Sequence, residues 1–136
     1  MSIIVGIDPG TNTGYAEVEG GKLITVDTIK LHECLFRLDE HWRQGVLQKV
    51  YFEDARLRTW FGNAGREKLQ GVGSVKRDCS IIQDFLASRQ IPFVAVKPAA
   101  AQTKWKADYF AKITGWNGRT SEHSRDAAVL ILSRKS

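Results

Sequence analysis

The chain has 136 residues, 43% of them hydrophobic and 26% charged, with a formal net charge of +5. That length fits one domain with a core of its own, and the composition excludes disordered and fibrous classes. No stretch approaches the roughly 20 apolar residues of a membrane span. The opening MSIIVGID lacks the basic residues and apolar length of an export signal, so a cytoplasmic protein is expected. Cys34 and Cys79 form no CxxC pair and read as reduced core thiols.

The chain opens on an apolar run, Ile3 to Ile7, which delivers Asp8 and stops at Pro9-Gly10. Such a run reads as a first strand buried on both faces. Thr13 to Glu19 reads as a second strand, Gly20-Gly21 as a two-residue hairpin turn, and Lys22 to Ile29 as a third strand. Leu31, Cys34, Leu35, Leu38 and Trp42 recur at helical spacing, with Gly45 as the stop. Val46 to Asp54 is a fourth strand, ending on Glu53-Asp54.

A loop rich in arginine, glycine and aromatics comes next, RLRTWFGNAGREK at 56–68, and then a long helix with Val72, Val75, Cys79, Ile82 and Leu86 on one seam. That seam is most simply core contact. Gly71 and Gly73 fall inside the helical pattern, where each is less favourable than alanine by about 1 kcal/mol. A late helix start, or close approach of a DNA backbone or partner helix, would account for them. Ile91 to Val96 is a short fifth strand, a helix covers about Ala107 to Ile113, and a last helix runs from about Ser121 to Ser133. The order βββαβαβαα describes an α/β sandwich built on a hairpin-led mixed sheet of five strands.

Charge is concentrated in one place. Between Ala55 and Arg77 lie Arg56, Arg58, Arg66, Lys68, Lys76 and Arg77, against the single acid Glu67. A basic excess in one segment is the footprint of a polyanion-binding surface, although a solvated basic face has the same composition. The adjacent Trp60 and Phe61 suit stacking on unpaired or distorted bases, with arginines on phosphates; at least one of the two is expected to be core beneath the loop.

Three places collect metal-ligand residue types. Asp8 ends the first strand; Glu53 or Asp54 ends the fourth; His123 and Asp126 are three apart on the last helix and share a face. Glu53 and Asp54 point to opposite faces of a strand, so one of them joins Asp8 and the other is exposed or caps. Each residue also has a plainer reading: Asp8 as turn initiator, His123 as a surface residue, Asp126 as a first-turn acid. All four at strand ends or on one helical face is a more specific signal. Carboxylates with one imidazole suit Mg²⁺ or Mn²⁺. Two such ions roughly 3.5–4 Å apart are a standard device for in-line phosphodiester hydrolysis.

The opening GIDPGTNTG, the strand-borne YFEDA, Gln70-Gly71 and the terminal H-x-x-D-A-A together resemble the RuvC-type Holliday junction resolvases, a branch of the RNase H-like nucleases. The resemblance covers most of the chain. It implies a single RNase H-like nuclease domain over 1–136 acting on branched DNA, with two Mg²⁺ or Mn²⁺ ions per site. The length of the seam from Val72 to Leu86, together with the need to cut a two-fold symmetric junction twice, suits a C2 homodimer. In that family the terminal motif carries two aspartates or His plus Asp, and His123-Ser124-Arg125-Asp126 fits the second form. Carried over, Asp8 bridges both ions, Glu53 holds one, and His123 and Asp126 serve the other, unless the imidazole acts on the attacking water. The resemblance also implies an aromatic probe of the branch point, Trp60 or Phe61. The basic segment, with Arg56, Arg58, Arg66, Lys68, Lys76 and Arg77, together with Gln70 and Lys106, is the expected DNA surface. The segment before the last helix is shorter than usual for the family, which leaves Lys104 and Lys106 competing as the transition-state cation.

Other readings are possible. D-x-G-T-x-x-G also opens actin-like and sugar-kinase ATPases, but those need two related domains. A nuclease trimming ribosomal RNA precursors shares the fold class, and a non-catalytic DNA-structure binder would need an incomplete acidic set.

Overall fold

The computed structural model describes residues 2–58, 66–98 and 104–132, without the side chains of 66–72. The elements are β1 (Ile3–Asp8), β2 (Thr13–Glu19), β3 (Lys22–Ile29), α1 (Leu31–Arg43), β4 (Leu47–Glu53), α2 (Arg66–Ser88), β5 (Phe93–Val96), α3 (Ala107–Thr114) and α4 (Glu122–Leu132). A 3₁₀ turn, Ala55–Leu57, lies between β4 and α2. The five strands form one mixed sheet in the order β3-β2-β1-β4-β5. The β1–β2 and β2–β3 pairs are antiparallel; β1–β4 and β4–β5 are parallel. This is the α/β RNase H-like arrangement expected from the sequence.

Strand β1 is central and buried on both faces, which is why it carries no polar alternation. Edge strand β3 buries only Leu23, Val26 and Ile29, and a bulge opposite Glu17 and Val18 breaks its alternation. The hairpin between β2 and β3 turns on Gly20 and Gly21, with φ of 57° and 80°, a conformation that glycine adopts without strain.

The core lies on both sides of the sheet. On one side Val5, Ile7, Tyr15 and Phe52 pack with Leu38 of α1 and with Ile82 and Leu86 of α2. The described part of the α2 seam is thus internal, with Cys79, Ile82 and Leu86 fully buried and Val75 partly so. Both cysteines are free and buried. On the other side Ile4, Ala16 and Val18 pack with Phe110 of α3 and with Ala127, Ala128 and Ile131 of α4.

Helix α4 lies unusually close to the sheet because two glycines face it. A Cβ at Gly6 would overlap the Ala127 carbonyl oxygen, and one at Gly14 would overlap that of His123. Close backbone approach is a use of glycine that sequence spacing does not reveal.

Two boundaries depart from expectation by more than one residue. The fifth strand starts at Phe93 because Ile91 N–H closes the end of α2 on the Leu86 carbonyl at 3.0 Å, and Pro92 has no N–H to pair. Helix α2 starts at Arg66, so Gly71 and Gly73 lie inside it and a late start does not account for them. A Cβ at Gly73 would meet no described atom within 4 Å. No described helix is long and apolar enough to cross a membrane.

Candidate active site

Parallel pairing sets Ile7 beside Phe52, so Asp8 and Glu53, one residue further along, emerge at the same end of the sheet. Alternation decides their faces. Ile4 of β1 and Tyr51 of β4 belong to the α4 side, whereas Ile7 and Phe52 belong to the α1–α2 side. Asp8 and Glu53 therefore share the α4 face, and Asp54 takes the opposite one.

On α4, the close packing over Gly14 brings His123 down to Asp8, with Nδ1 3.1 Å from Oδ2. Asp126, on the same helical face, accepts a hydrogen bond from Lys104 Nζ at 2.6 Å. Lys104 also lies 3.9 Å from Glu122 Oε1. Of the two competing lysines, Lys104 is in the acidic cluster, whereas Lys106 is the N-cap residue of α3.

Electrostatics link these groups into one site. Burial pushes the Asp8 carboxyl up to about 6; the His123 hydrogen bond pulls it down, while Glu53 and Asp126 push it further up. Glu53 is also raised, first by burial, with Asp126 adding to the rise and Lys104 and Arg58 opposing it. Lys104 is held above its ordinary value although burial acts against this. Its hydrogen bond to Asp126 and the charges of Asp126, Asp8 and Glu53 prevail.

Crowded carboxylates that raise one another's proton affinity are the chemistry of a site completed by a cation. The donor set fits Mg²⁺ or Mn²⁺ in kind: three carboxylates and one imidazole. As the side chains lie, no three His, Cys, Asp or Glu among the described residues surround a single point. Lys104 sits against Asp126 and supplies part of the compensating charge.

Asp54 is 2% exposed and caps the 3₁₀ turn, so the capping alternative describes it and the exposed one does not. Arg56, expected among the phosphate contacts, has a set of partners inside the protein. Its guanidinium is engaged by Asp54, Ser80 and Gln83 within the protein. Arg58 is close enough to Glu53 to act on its charge. On α2, Lys76 is half-buried and Arg77 exposed. Arg66, Lys68 and Gln70 occupy the first turns of α2, with side chains outside the described residues; Trp60 and Phe61 lie outside them altogether.

Two features escaped the sequence reading. Arg125 donates from Nε to the Trp105 carbonyl at 2.7 Å and from Nη1 to Thr120 Oγ1 at 2.9 Å. It thereby ties the segment carrying Lys104 to α4, and its place between His123 and Asp126 gives no hint of this. Ser121 and Ser124 cap the start of α4 reciprocally, each side chain on the other's backbone N–H at 2.9 and 3.0 Å. The S-x-x-S spacing resembles a capping box and was a usable signal.

The structure is similar to that of T. thermophilus RuvC in complex with a Holliday junction substrate, with a TM-score of 0.58 and 22% identity. The match covers 96% of this chain and 90% of that one. No family model and no curated protein matches the sequence. What is shared at this identity is the fold, and function must be argued from the site.

Proposed function

From the premise that this chain has the RuvC-type RNase H-like fold, we propose that it is a metal-dependent, structure-selective endodeoxyribonuclease that cleaves four-way or otherwise branched DNA. The observation that carries this reading is the placing of the Asp8–His123 and Lys104–Asp126 pairs at one end of β1 and β4, with Glu53 within reach of their charges. The similar RuvC is itself described with a Holliday junction substrate, which supports the choice of DNA over RNA.

Asp8, Glu53, His123 and Asp126 would hold two Mg²⁺ or Mn²⁺ ions, which when bound supply water activation and neutralisation of the leaving oxygen. The protein's own groups have separable tasks. Ionised Asp8 only accepts hydrogen bonds, so Nδ1 of His123 is the donor, and in the uncharged form of the ring Nε2 keeps its lone pair. That lone pair can take a coordinate bond or a proton from attacking water. Lys104 carries a fixed positive charge beside the cluster, suited to the charge that develops on a phosphate in the transition state.

Arg58, Lys76, Arg77 and Lys106, with Arg66, Lys68 and Gln70, would form the DNA surface, and Trp60 or Phe61 the probe at the branch point. The two-fold symmetry of a four-way junction favours a homodimer of 136-residue, single-domain protomers acting in the cytoplasm. Of the α2 seam, Cys79, Ile82 and Leu86 are buried within the protomer. The test is one gel with purified protein, Mg²⁺ or Mn²⁺, and matched four-way, flap and linear DNA beside a structured RNA. Selective, metal-dependent cutting of branched DNA is expected; cutting of RNA alone, or binding without cutting, rejects the reading.

A further inference from the structure

We infer that Arg56 is a positioning residue for the Glu53 carboxylate, acting by locking the exit of β4 onto α2, and that it is not a DNA contact. The inference rests on the reading of Glu53 as a metal ligand. Glu53 is the last residue of β4, and the chain leaves it through the 3₁₀ turn Ala55–Leu57. A strand end of that kind holds a side chain only as firmly as the next residues are held.

Three anchors hold it. Asp54 N–H donates to the Val96 carbonyl of β5 at 2.8 Å. Cys79 Sγ of α2 lies 3.6 Å from the Glu53 carbonyl oxygen, as a weak donor to it. The third anchor is built around Arg56. Asp54, buried on the face opposite Glu53, accepts from Arg56 Nε at 2.8 Å on Oδ1 and from Nη2 at 2.7 Å on Oδ2. It also accepts the Arg56 backbone N–H at 3.0 Å. The same guanidinium continues onto α2, from Nη1 to Ser80 Oγ at 3.2 Å and from Nη2 to Gln83 Oε1. Ser80 and Gln83 are one turn apart and face the clasp together.

A two-pronged grip on a carboxylate fixes orientation as well as distance, and lysine cannot reproduce it. With the Asp54 carboxylate pinned on one face, strand alternation pins Glu53 on the other, toward Asp8 and Asp126. The basic character of the segment from Ala55 to Arg77 conceals this use, because composition counts Arg56 with the phosphate contacts.

The test compares the full-length wild type with Arg56→Lys, Arg56→Ala and Ser80→Ala/Gln83→Ala. The double variant keeps the Asp54–Arg56 pair and removes its tether, so it serves if Arg56→Ala does not fold. Free Mn²⁺ is titrated by electron paramagnetic resonance, and junction binding is measured separately in EDTA. The expected result is a Mn²⁺ affinity weaker by about 10–100-fold in Arg56→Ala and Arg56→Lys, and by a smaller factor in the double variant, with junction affinity unchanged. Cys34→Ala, a destabilising change in the core beneath α1, is the control and should lower Tm without moving the Mn²⁺ midpoint. An unchanged Mn²⁺ midpoint in the folded Arg56 variants overturns the inference, as does a loss of junction binding with the midpoint intact. A wild type that neither binds Mn²⁺ nor cuts DNA rejects the nuclease reading instead, and the inference with it.

Discussion

His123 Nδ1 and Asp8 Oδ2 lie 3.1 Å apart although 115 positions separate them in the chain. The contact joins the last helix to the first strand and commits the imidazole to the acidic cluster. Mn²⁺ accepts nitrogen more readily than Mg²⁺, which strongly prefers oxygen. Cleavage of a four-way junction should therefore be at least as fast in Mn²⁺ as in Mg²⁺. His123→Asp should retain some activity and shift preference toward Mg²⁺, while His123→Ala should lose most activity with either ion. Wild-type rates for His123→Ala in both metals would reduce the site to its three carboxylates.

Asp8→Asn and Glu53→Gln should each abolish cleavage while junction binding survives, because binding rests on the basic surface and not on the acids. Asp8 adds a second readout. Its carboxyl is pushed up to about 6, mainly by burial, so its charge at neutral pH opposes folding when no cation is present. Metal-free Asp8→Asn should melt at or above the wild-type temperature, a loss of function joined to a gain of stability. Asp54→Asn, on the other face, should instead lower Tm by disturbing a buried ion pair. Activity lost on Asp54→Asn but retained on Glu53→Gln would exchange the two roles.

Gly14 pairs with Asp8 across the β1–β2 ladder and lies under the His123 carbonyl. Gly14→Ala forces α4 outward at the turn that carries His123. Overpacking of this kind costs roughly 1–3 kcal/mol, so thermal unfolding should show a Tm lower by several degrees. Cleavage should fall further than stability does, since the imidazole moves away from the carboxylate. A Gly14→Ala protein as active and as stable as wild type would mean that the helix can shift without disturbing the site.

Much of this was legible in the sequence, for identifiable reasons. Burial on both faces wrote β1 as an unbroken apolar run, the Gly20-Gly21 turn wrote the hairpin, and strand alternation separated Glu53 from Asp54. Asp8, His123 and Asp126 could be grouped because strand ends and helix faces have fixed geometry. What stayed hidden depends on contacts without a period. Lys104 reaches Asp126 from an irregular segment, and Arg125 holds that segment through a backbone carbonyl, which no residue pattern encodes. Arg56 was assigned by charge alone, and charge does not say whether the partner is a phosphate or Asp54. Gly6 and Gly14 looked like ordinary strand residues until α4 was placed over them.

Glu17 shows a further hidden arrangement, one that ties folding stability to pH. The residue read simply as part of β2, yet it is only 6% exposed and its carboxylate accepts three hydrogen bonds. These come from Tyr15 Oη at 2.5 Å, Thr25 Oγ1 at 2.7 Å and His41 Nε2 at 2.6 Å. Arg37 adds positive charge nearby, over the Tyr15 ring and paired with Asp27. Burial alone would raise the Glu17 carboxyl, but the three donors outweigh it and hold it below its ordinary value of 4.5. In the window between those two values the unfolded chain binds a proton at this position that the native protein does not. Acidification through that window therefore favours unfolding. The stabilisation is complete above the ordinary carboxylate value and disappears as pH falls through the depressed one. Thermal melts from about pH 7 to about pH 3 should show a steeper acid loss of Tm for wild type than for Glu17→Gln, which has no carboxylate to protonate. Glu17→Gln should also be less stable at neutral pH, because its amide presents donors where the pocket supplies donors already. Parallel acid limbs for the two proteins would show that Glu17 is not the group that titrates.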